Sequence, residues 1–377
     1  MNKYFCSLPW VHLRLDAGVD HAGASPCCKF NSDEWEKLNS SIHSRHALPV
    51  NNGIKNAMNQ QVFKQIRSDM LNGIPTKGCI DCYEDERIHG QSMRTDVNGF
   101  WDITNEKLTQ EFFQTKFIEM SLDNTCNLEC KMCSSFHSTK LRRRDKLLGN
   151  TVHPNVTCDP SLLDELDLSQ VETIKLVGGE PLLSKHHLPF LKKFPNPQKL
   201  SLLYNTNATI IPSGETLDIM KSVKELNFII SCDGIYKYND YQRWGSNFES
   251  IIENGLKIKN TFNNINWFTF LNTFTLLNLN AYTKTIEWFK QNNIETKSNW
   301  GQGDLSVRHA PDWYEEWILQ ENDHPEVRSY FIREERKYDP EQWQNFIDLI
   351  KVTDKMYGTR LEDYNPELAE QLHKHNN

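Results

Sequence analysis

The chain has no run of eighteen apolar residues, so no membrane-spanning helix is expected. It has no internal repeat and no low-complexity tract, which excludes a solenoid and a compositionally biased tail. Its first residues, MNKYFCSLPW, lack the basic start and apolar run of a secretory leader, and a cytoplasmic location is expected. It also lacks a basic surplus. Lys and Arg number 42 against 50 Asp and Glu, a net charge of −8, which argues against a broad nucleic-acid surface. One local basic patch, Lys140-Leu141-Arg142-Arg143-Arg144, could face an anionic substrate; its plainer reading is a solvated helix face. With 38% hydrophobic and 24% charged residues, 377 positions fit two globular domains, or one barrel with an attachment.

Cysteine is not scarce. There are ten, and eight fall into two groups: Cys6, Cys27, Cys28, Cys79 and Cys82, then Cys126, Cys130 and Cys133. In a reducing compartment disulfides are disfavoured, and clustered spacing of this kind points to a metal or an iron–sulfur cluster. Cys158 and Cys232 stand alone and read as small buried hydrophobes. The run Cys126-Asn127-Leu128-Glu129-Cys130-Lys131-Met132-Cys133 is spaced CxxxCxxC. Three thiolates are one short of the four that close a [4Fe–4S] cube, so one iron stays open to another ligand. At the level of spacing alone, zinc competes for any such group.

Three regions stand out: 1–112, 113–310 and 311–377. In the first, Val11, Leu13 and Leu15 alternate with polar residues, the pattern of a half-buried strand, and Asp16-Ala17-Gly18 offers a turn into a return strand from Val19. Residues 38–56 read as a loop. Val62, Phe63, Ile66 and Met70 share one helical face, with Gly73 placed to end the helix. The second region alternates apolar runs with helical patterns. Strands are expected at 117–122, 173–177, 199–204, 226–231 and 267–275, with a sixth near 304–308. Helices are expected to start at Asp159-Pro160 and near Ser184, Ser213, Asn247 and Asn280. Such alternation implies an α/β fold with a parallel sheet. Five or six units are too few for a full barrel of eight, so a partial, TIM-like (β/α)6 barrel with an open side is expected. The third region is helical: Trp343, Phe346, Ile347 and Ile350 form a stripe that should pack on the barrel, while the last dozen residues read as frayed.

Functional groups in parallel α/β folds gather beyond the C-terminal strand ends. After the first expected strand comes the three-cysteine loop. After the second come Gly178-Gly179-Glu180-Pro181, where glycine lets backbone approach a ligand and the glutamate can accept from an ammonium group. Asn205-Thr206-Asn207 follows the third, and Ser231-Cys232-Asp233-Gly234 the fourth. The CxxxCxxC run, joined to a GGEP about 45 residues later, resembles the signature of the radical S-adenosylmethionine (radical SAM) enzymes. That resemblance implies a [4Fe–4S] cluster on Cys126, Cys130 and Cys133 whose open iron takes the amino and carboxyl groups of SAM, and reductive cleavage of SAM to a 5′-deoxyadenosyl radical. It assigns Gly178, Gly179, Glu180 and Pro181 to the SAM amino group. Ser231 and Asp233 become contacts near the ribose and carboxylate, and Arg243 a partner of the SAM carboxylate, a task that suits a guanidinium. Asn205 and Asn207 are further cofactor contacts, and Asn272 a weaker candidate. For each of these polar residues a surface turn or helix cap is the competing reading. Many family members carry an aromatic residue before the third cysteine; here it is Met132, so the adenine site is expected to be shaped differently.

The front cysteines resemble the Twitch domain, a half-size relative of the SPASM domain that holds one auxiliary [4Fe–4S] cluster. The match runs through Cys6-Ser-Leu-Pro9-Trp10, Gly18, Pro26-Cys27-Cys28 and Cys79-Ile80-Asp81-Cys82, then Glu86, Gly90, Ser92 and Arg94. It implies ligation by Cys6, Cys27, Cys79 and Cys82, with Cys28 the alternative to Cys27; structural zinc is the competing occupant. The whole reads as a small cysteine-rich α+β auxiliary-cluster domain, a radical SAM partial barrel and a helical extension. The implied enzyme abstracts hydrogen from a substrate, a peptide or protein side chain first and a small molecule second. An electron donor such as flavodoxin or ferredoxin is implied. A non-catalytic iron–sulfur or zinc scaffold is the alternative, and an enzyme acting on RNA a third.

Overall fold

The computed structural model describes residues 2–18, 22–30, 48–50, 52–101, 103, 106–112, 114–333 and 338–375. Val19, the expected start of the return strand, and residues 38–47 and 51 of the expected loop lie outside them, but the described segment Gly23–Ser25 does return antiparallel to His12–Asp16. Within that loop, 48–49 form a short strand and a helix covers Ile54–Met58. Eleven strands occur among the described residues: β1 (His12–Asp16), β2 (Gly23–Ser25), β3 (Leu48–Pro49), β4 (Phe117–Ser121), β5 (Glu129–Cys130), β6 (Thr173–Val177), β7 (Ser201–Thr206), β8 (Glu225–Ser231), β9 (Arg243–Trp244), β10 (Ile265–Phe274) and β11 (Thr296–Trp300). Helical segments follow β4, β6, β7, β8, β10 and β11 in the chain, so the α/β alternation has six strand–helix repeats. No helix among the described residues is long and apolar enough to cross a membrane.

The chain packs as two compact units. The first comprises Met1–Asn124, Asn155–Tyr204 and Ser213–Leu226; the second comprises Thr125–Pro154, Asn205–Pro212 and Asn227–Asn377.

In the first unit β1 runs parallel to β4, β4 to β6 and β6 to β7, while β2 and β3 add antiparallel beyond β1. Successive side chains on a strand point to opposite faces. Leu13, Leu15, Ile118, Met120, Ile174 and Leu176 are buried on one face. The other face carries charge in register: Arg14 lies opposite Glu119, and Glu119 opposite Lys175. The expected half-buried strand is therefore covered on both faces, because it extends a parallel sheet instead of forming a free hairpin. Glu119 lies 3.4 Å from both Arg14 and Lys175. Burial alone would raise its pKa, but Lys175 and Arg14 outweigh that and lower it. The helix Gln61–Asn72 buries Phe63, Ile66 and Met70 and ends on Gly73 at φ +70°. Its buried Arg67 donates to the carbonyls of Gln110 (2.5 Å), Pro9 (3.0 Å) and Met58 (2.7 Å). The start expected at Asp159-Pro160 is a six-residue 3-10 helix, Pro160–Glu165, capped by Asp159.

In the second unit β8 neighbours β10, and β10 runs parallel to β11. Asn247 caps the helix Phe248–Thr261, accepting from the Ser250 N–H at 3.0 Å. The helix Pro340–Tyr357 starts at Asp339 and buries Trp343, Phe346 and Ile350. That stripe packs with Phe274, Leu276, Tyr282, Leu305 and Val307. The strand expected near 304–308 is instead two 3-10 turns, Gly303–Leu305 and Val307–His309. Leu305 and Val307 are apolar because they feed this core, not because they extend a sheet. The expected fraying of the last dozen residues is also overturned: Pro366–His375 is a helix with Leu368, Ala369 and Leu372 buried in the same core.

Candidate functional site

In the second unit, β5 and β9 form a short antiparallel ribbon that sets Cys130 opposite Arg243 and Glu129 opposite Trp244. The Lys131 N–H donates to the Gln242 carbonyl at 2.8 Å, and the Cys133 N–H returns to the Cys130 carbonyl at 3.1 Å. That tight turn folds the third cysteine back toward the second. Two of the sulfurs have donor neighbours: Arg243 Nη1 lies 3.9 Å from Cys130 Sγ, and Cys126 Sγ takes the Leu128 N–H at 3.5 Å and Asn207 Nδ2 at 3.9 Å, while the Cys133 thiol lies 3.7 Å from the Ser134 carbonyl. The Cys130 thiol is pushed up to about 12 and the Cys133 thiol to about 11, chiefly by burial; Cys133 and Cys126 add to the rise at Cys130, Cys126 adds to it at Cys133, and Arg243 opposes both. Three sulfurs that influence one another this way have been gathered by one loop. N–H groups and a guanidinium aimed at sulfur favour thiolates over thiols, the form a metal binds.

The loop rests on buried cations that its pattern did not reveal. Lys131 Nζ donates to Thr353 Oγ1 at 2.8 Å and sits 3.9 Å over the Tyr241 ring, a cation–π contact. Burial holds its pKa down at about 7, Arg144 pushes the same way, and Asp354 opposes both. Tyr357 donates to Glu129 at 3.1 Å and stacks on Trp244. The helix Pro340–Tyr357 thus braces the β5–β9 ribbon. Nor is the basic patch at 140–144 a solvated face throughout: Arg143 is exposed, but Arg144 is only 3% exposed. A single charged residue inside a basic run gives no sequence signal of burial.

The other polar residues of this unit are mostly engaged. Asp233 is fully buried, pairs with Arg243 at 2.7 Å and accepts the Thr273 N–H at 2.8 Å. Asn207 donates to Asn127 Oδ1 at 3.0 Å and accepts from the Thr209 N–H and hydroxyl. Asn272 accepts the Gly234 N–H at 2.8 Å and donates to Thr296 at 2.7 Å, a fixed position within the sheet. Asn205 Oδ1 is buried with no hydrogen-bond partner among the described residues. Ser231 closes β8. Cys158 and Cys232 are buried, as their isolation in the sequence implied.

Gly178-Gly179-Glu180-Pro181 belongs to the first unit and follows β6. Gly178 has φ +114°, and a Cβ there would overlap the Ser121 hydroxyl and lie 3.0 Å from the Asp123 carbonyl. The close approach that requires glycine is therefore to the end of β4. The Gly179 N–H donates to the same carbonyl at 3.2 Å, and buried Glu180 caps the turn Pro181–Leu183 by accepting the Leu182 N–H at 3.2 Å.

The front cysteines are gathered in the same unit. Cys79 ends a 3-10 turn and caps the helix Ile80–His89, which places Cys82 in its first turn. Burial pushes the Cys6 thiol up to about 12 and those of Cys27, Cys79 and Cys82 upward. Cys27 is further raised by its neighbour Cys28 and then by Cys79 and Cys6, Cys79 by Cys6 and Cys82, and Cys6 by Cys82, so Cys6, Cys27, Cys79 and Cys82 form one group, which Cys28 meets through Cys27. Cys28 faces elsewhere: its thiol lies 3.6 Å from Met93 Sδ and feels Glu119, Lys175 and Arg14. Buried Arg94 pairs with Glu86 and donates to the Phe5 carbonyl at 2.8 Å, joining the helix of Cys82 to the segment of Cys6. Beside them His12 gives Nδ1 to the Pro26 carbonyl at 2.8 Å, and its buried Nε2 has no hydrogen-bond partner among the described residues.

Among the described residues no three His, Cys, Asp or Glu side chains are drawn together as tightly as one ion requires. Sulfurs on a tetrahedral zinc, at about 2.3 Å from the metal, stand about 3.8 Å apart. A four-iron cube is wider than an ion and holds its thiolates farther apart. The donor sets here, three thiols on one loop and four thiols in the front segment, fit such cubes in kind and number.

No protein-family model matches the chain, and no curated protein matches it. Among solved structures it is similar to Streptococcus suis SuiB bound to the precursor peptide SuiA, at 15% identity over 67% of this chain and 56% of that one, with a TM-score of 0.39. It is also similar to anSMEcpe with bound AdoMet and Cp18Cys peptide, at 16% identity over 65% and 61% of the two chains and a TM-score of 0.35. The match thus spans about three-fifths of the length of these two structures.

Proposed function

We propose that this chain is a radical SAM enzyme acting on a peptide or protein side chain. The observation that carries the reading is the convergence of Cys126, Cys130 and Cys133 at the β5–β9 ribbon, with Arg243 directed at the Cys130 sulfur and Asn207 and the Leu128 N–H at the Cys126 sulfur. Cys126, Cys130 and Cys133 would hold a [4Fe–4S] cluster. When bound, it supplies one electron that cleaves SAM and so provides a 5′-deoxyadenosyl radical for hydrogen abstraction. The chain's own part is to bind and shield. Burial of Cys130 keeps water from one edge of the site, and Arg243 stabilises the ionised sulfur beside it. Glu180, on its turn, is the acceptor assigned to the SAM amino group. Arg243, already paired with Asp233, would reach the SAM carboxylate with its remaining donors.

The second part of the proposal is an auxiliary [4Fe–4S] cluster on Cys6, Cys27, Cys79 and Cys82. The grouping of those four thiols, with Cys28 turned toward Glu119 and Met93, supports Cys27 over Cys28. The peptide or protein substrate follows from the Twitch-like pattern at 6–94, and a flavodoxin or ferredoxin is the proposed electron donor. The domain division at 112 and 310 belongs to the same reading. The test is an anaerobic, reduced assay of SAM turnover. The Cys126→Ala, Cys130→Ala, Cys133→Ala variant is expected to make no 5′-deoxyadenosine, and undiminished production would overturn the assignment.

A further inference from the structure

We propose that Arg144 is a positioning residue for the cysteine loop: it fixes Cys130 and Cys133 for cluster binding and sets the potential of the bound cluster. The inference rests on the radical SAM reading. Arg144 Nη1 donates to the carbonyls of Cys130 at 3.1 Å and Lys131 at 3.2 Å, and Nη2 donates to the carbonyl of Cys133. One guanidinium therefore grips the backbone of two of the three ligands and of Lys131, one of the two residues between them. Asp145 holds the guanidinium from behind, with Oδ1 at 3.1 Å from Nε and 2.7 Å from Nη2. Its other oxygen accepts the Ser135 N–H at 2.6 Å, which fixes the chain two residues past the last cysteine.

Both side chains are almost completely buried, at 3% and 1% exposure. Desolvating such a pair costs several kcal/mol per ion unless geometry and hydrogen bonds compensate. Here all three guanidinium nitrogens and both carboxylate oxygens are partnered. A pair this fully satisfied, spent on one loop of eight residues, is an investment in that loop's shape. Its charge also matters. A fixed cation on the backbone carbonyls of two ligands, offset only in part by Asp145 on its far side, stabilises the more negative, reduced form of a cluster and raises its potential. Lysine keeps the charge but has no planar fork to span three carbonyls.

The test compares Arg144→Gln and Arg144→Lys with the wild-type chain after anaerobic reconstitution. Iron content, far-UV circular dichroism and an EPR-monitored redox titration of the SAM-responsive signal are read. R144Q is expected to load less iron at Cys126, Cys130 and Cys133 and to show a more negative midpoint. R144K is expected to recover much of the midpoint but not the loading. If R144Q fails to fold, R144K decides the matter on the same two readouts. Variants that match wild type in iron and midpoint, whatever their melting temperature, would overturn the inference alone. Wild-type protein that takes no iron at these cysteines would instead overturn the reading beneath it, and this inference with it.

Discussion

Replacing Gly178 with alanine tests how the GGEP turn is held. At φ +114° an L side chain costs roughly 1–3 kcal/mol of backbone strain. The new methyl would also overlap the Ser121 hydroxyl and press on the Asp123 carbonyl at 3.0 Å. The carbonyl is backbone and cannot swing aside, so overpacking adds about 1–3 kcal/mol. The sum is roughly 2–6 kcal/mol. Gly90, in the same unit, carries the first part alone: it has φ +73° and open space where a Cβ would stand, so Gly90→Ala should cost only about 1–2 kcal/mol. The two variants, followed by urea unfolding of the first unit in near-UV circular dichroism, should differ by at least about 1 kcal/mol. Ser121→Ala combined with G178A should recover part of the gap, because the hydroxyl is the nearest obstacle. If G178A is no more destabilised than G90A, the turn is not packed on β4 and the geometry given for it is wrong.

Arg67→Met should destabilise the first unit by about 3–5 kcal/mol, because it strands the carbonyls of Pro9, Met58 and Gln110 away from a donor; chemical denaturation measures it. His187, buried against the Tyr204 hydroxyl at 2.9 Å, has its pKa lowered by burial from 6.5 to about 4. The unfolded chain then binds the extra proton first, so this contribution is full above pH 6.5 and is lost as pH falls toward 4, by up to about 3 kcal/mol. His187→Gln should flatten that part of the stability–pH curve, and an unchanged slope would refute it. Cys27→Ser should cost about four irons per chain after reconstitution and Cys28→Ser none; the reverse outcome exchanges their roles.

The parts of the fold that were legible are those where one local pattern serves one purpose. Thr173–Val177 reads as a strand because its apolar residues alternate onto a buried sheet face, and Ser213 and Asn247 read as helix starts because both stand at N-caps. The misreadings arose where long-range packing overrode a local pattern. β11, Thr-Lys-Ser-Asn-Trp, is polar because it packs lightly, so the apolar Leu305 and Val307 drew the strand assignment instead. Pro366–His375 looked too polar to be ordered, yet three apolar residues at i, i+1 and i+4 suffice to dock it. In the site, the cysteines declared themselves by spacing. Arg144 and Lys131 did not, because a buried cation is defined by the carbonyls and rings around it, which come from elsewhere in the chain.

The most direct measurement of the central claim is the EPR spectrum of anaerobically reconstituted, reduced protein before and after SAM is added. The account predicts about eight irons per chain and a change in the cluster signal on addition, lost when Cys126, Cys130 and Cys133 are replaced. A spectrum that ignores SAM, or a chain that takes up only zinc, would contradict it.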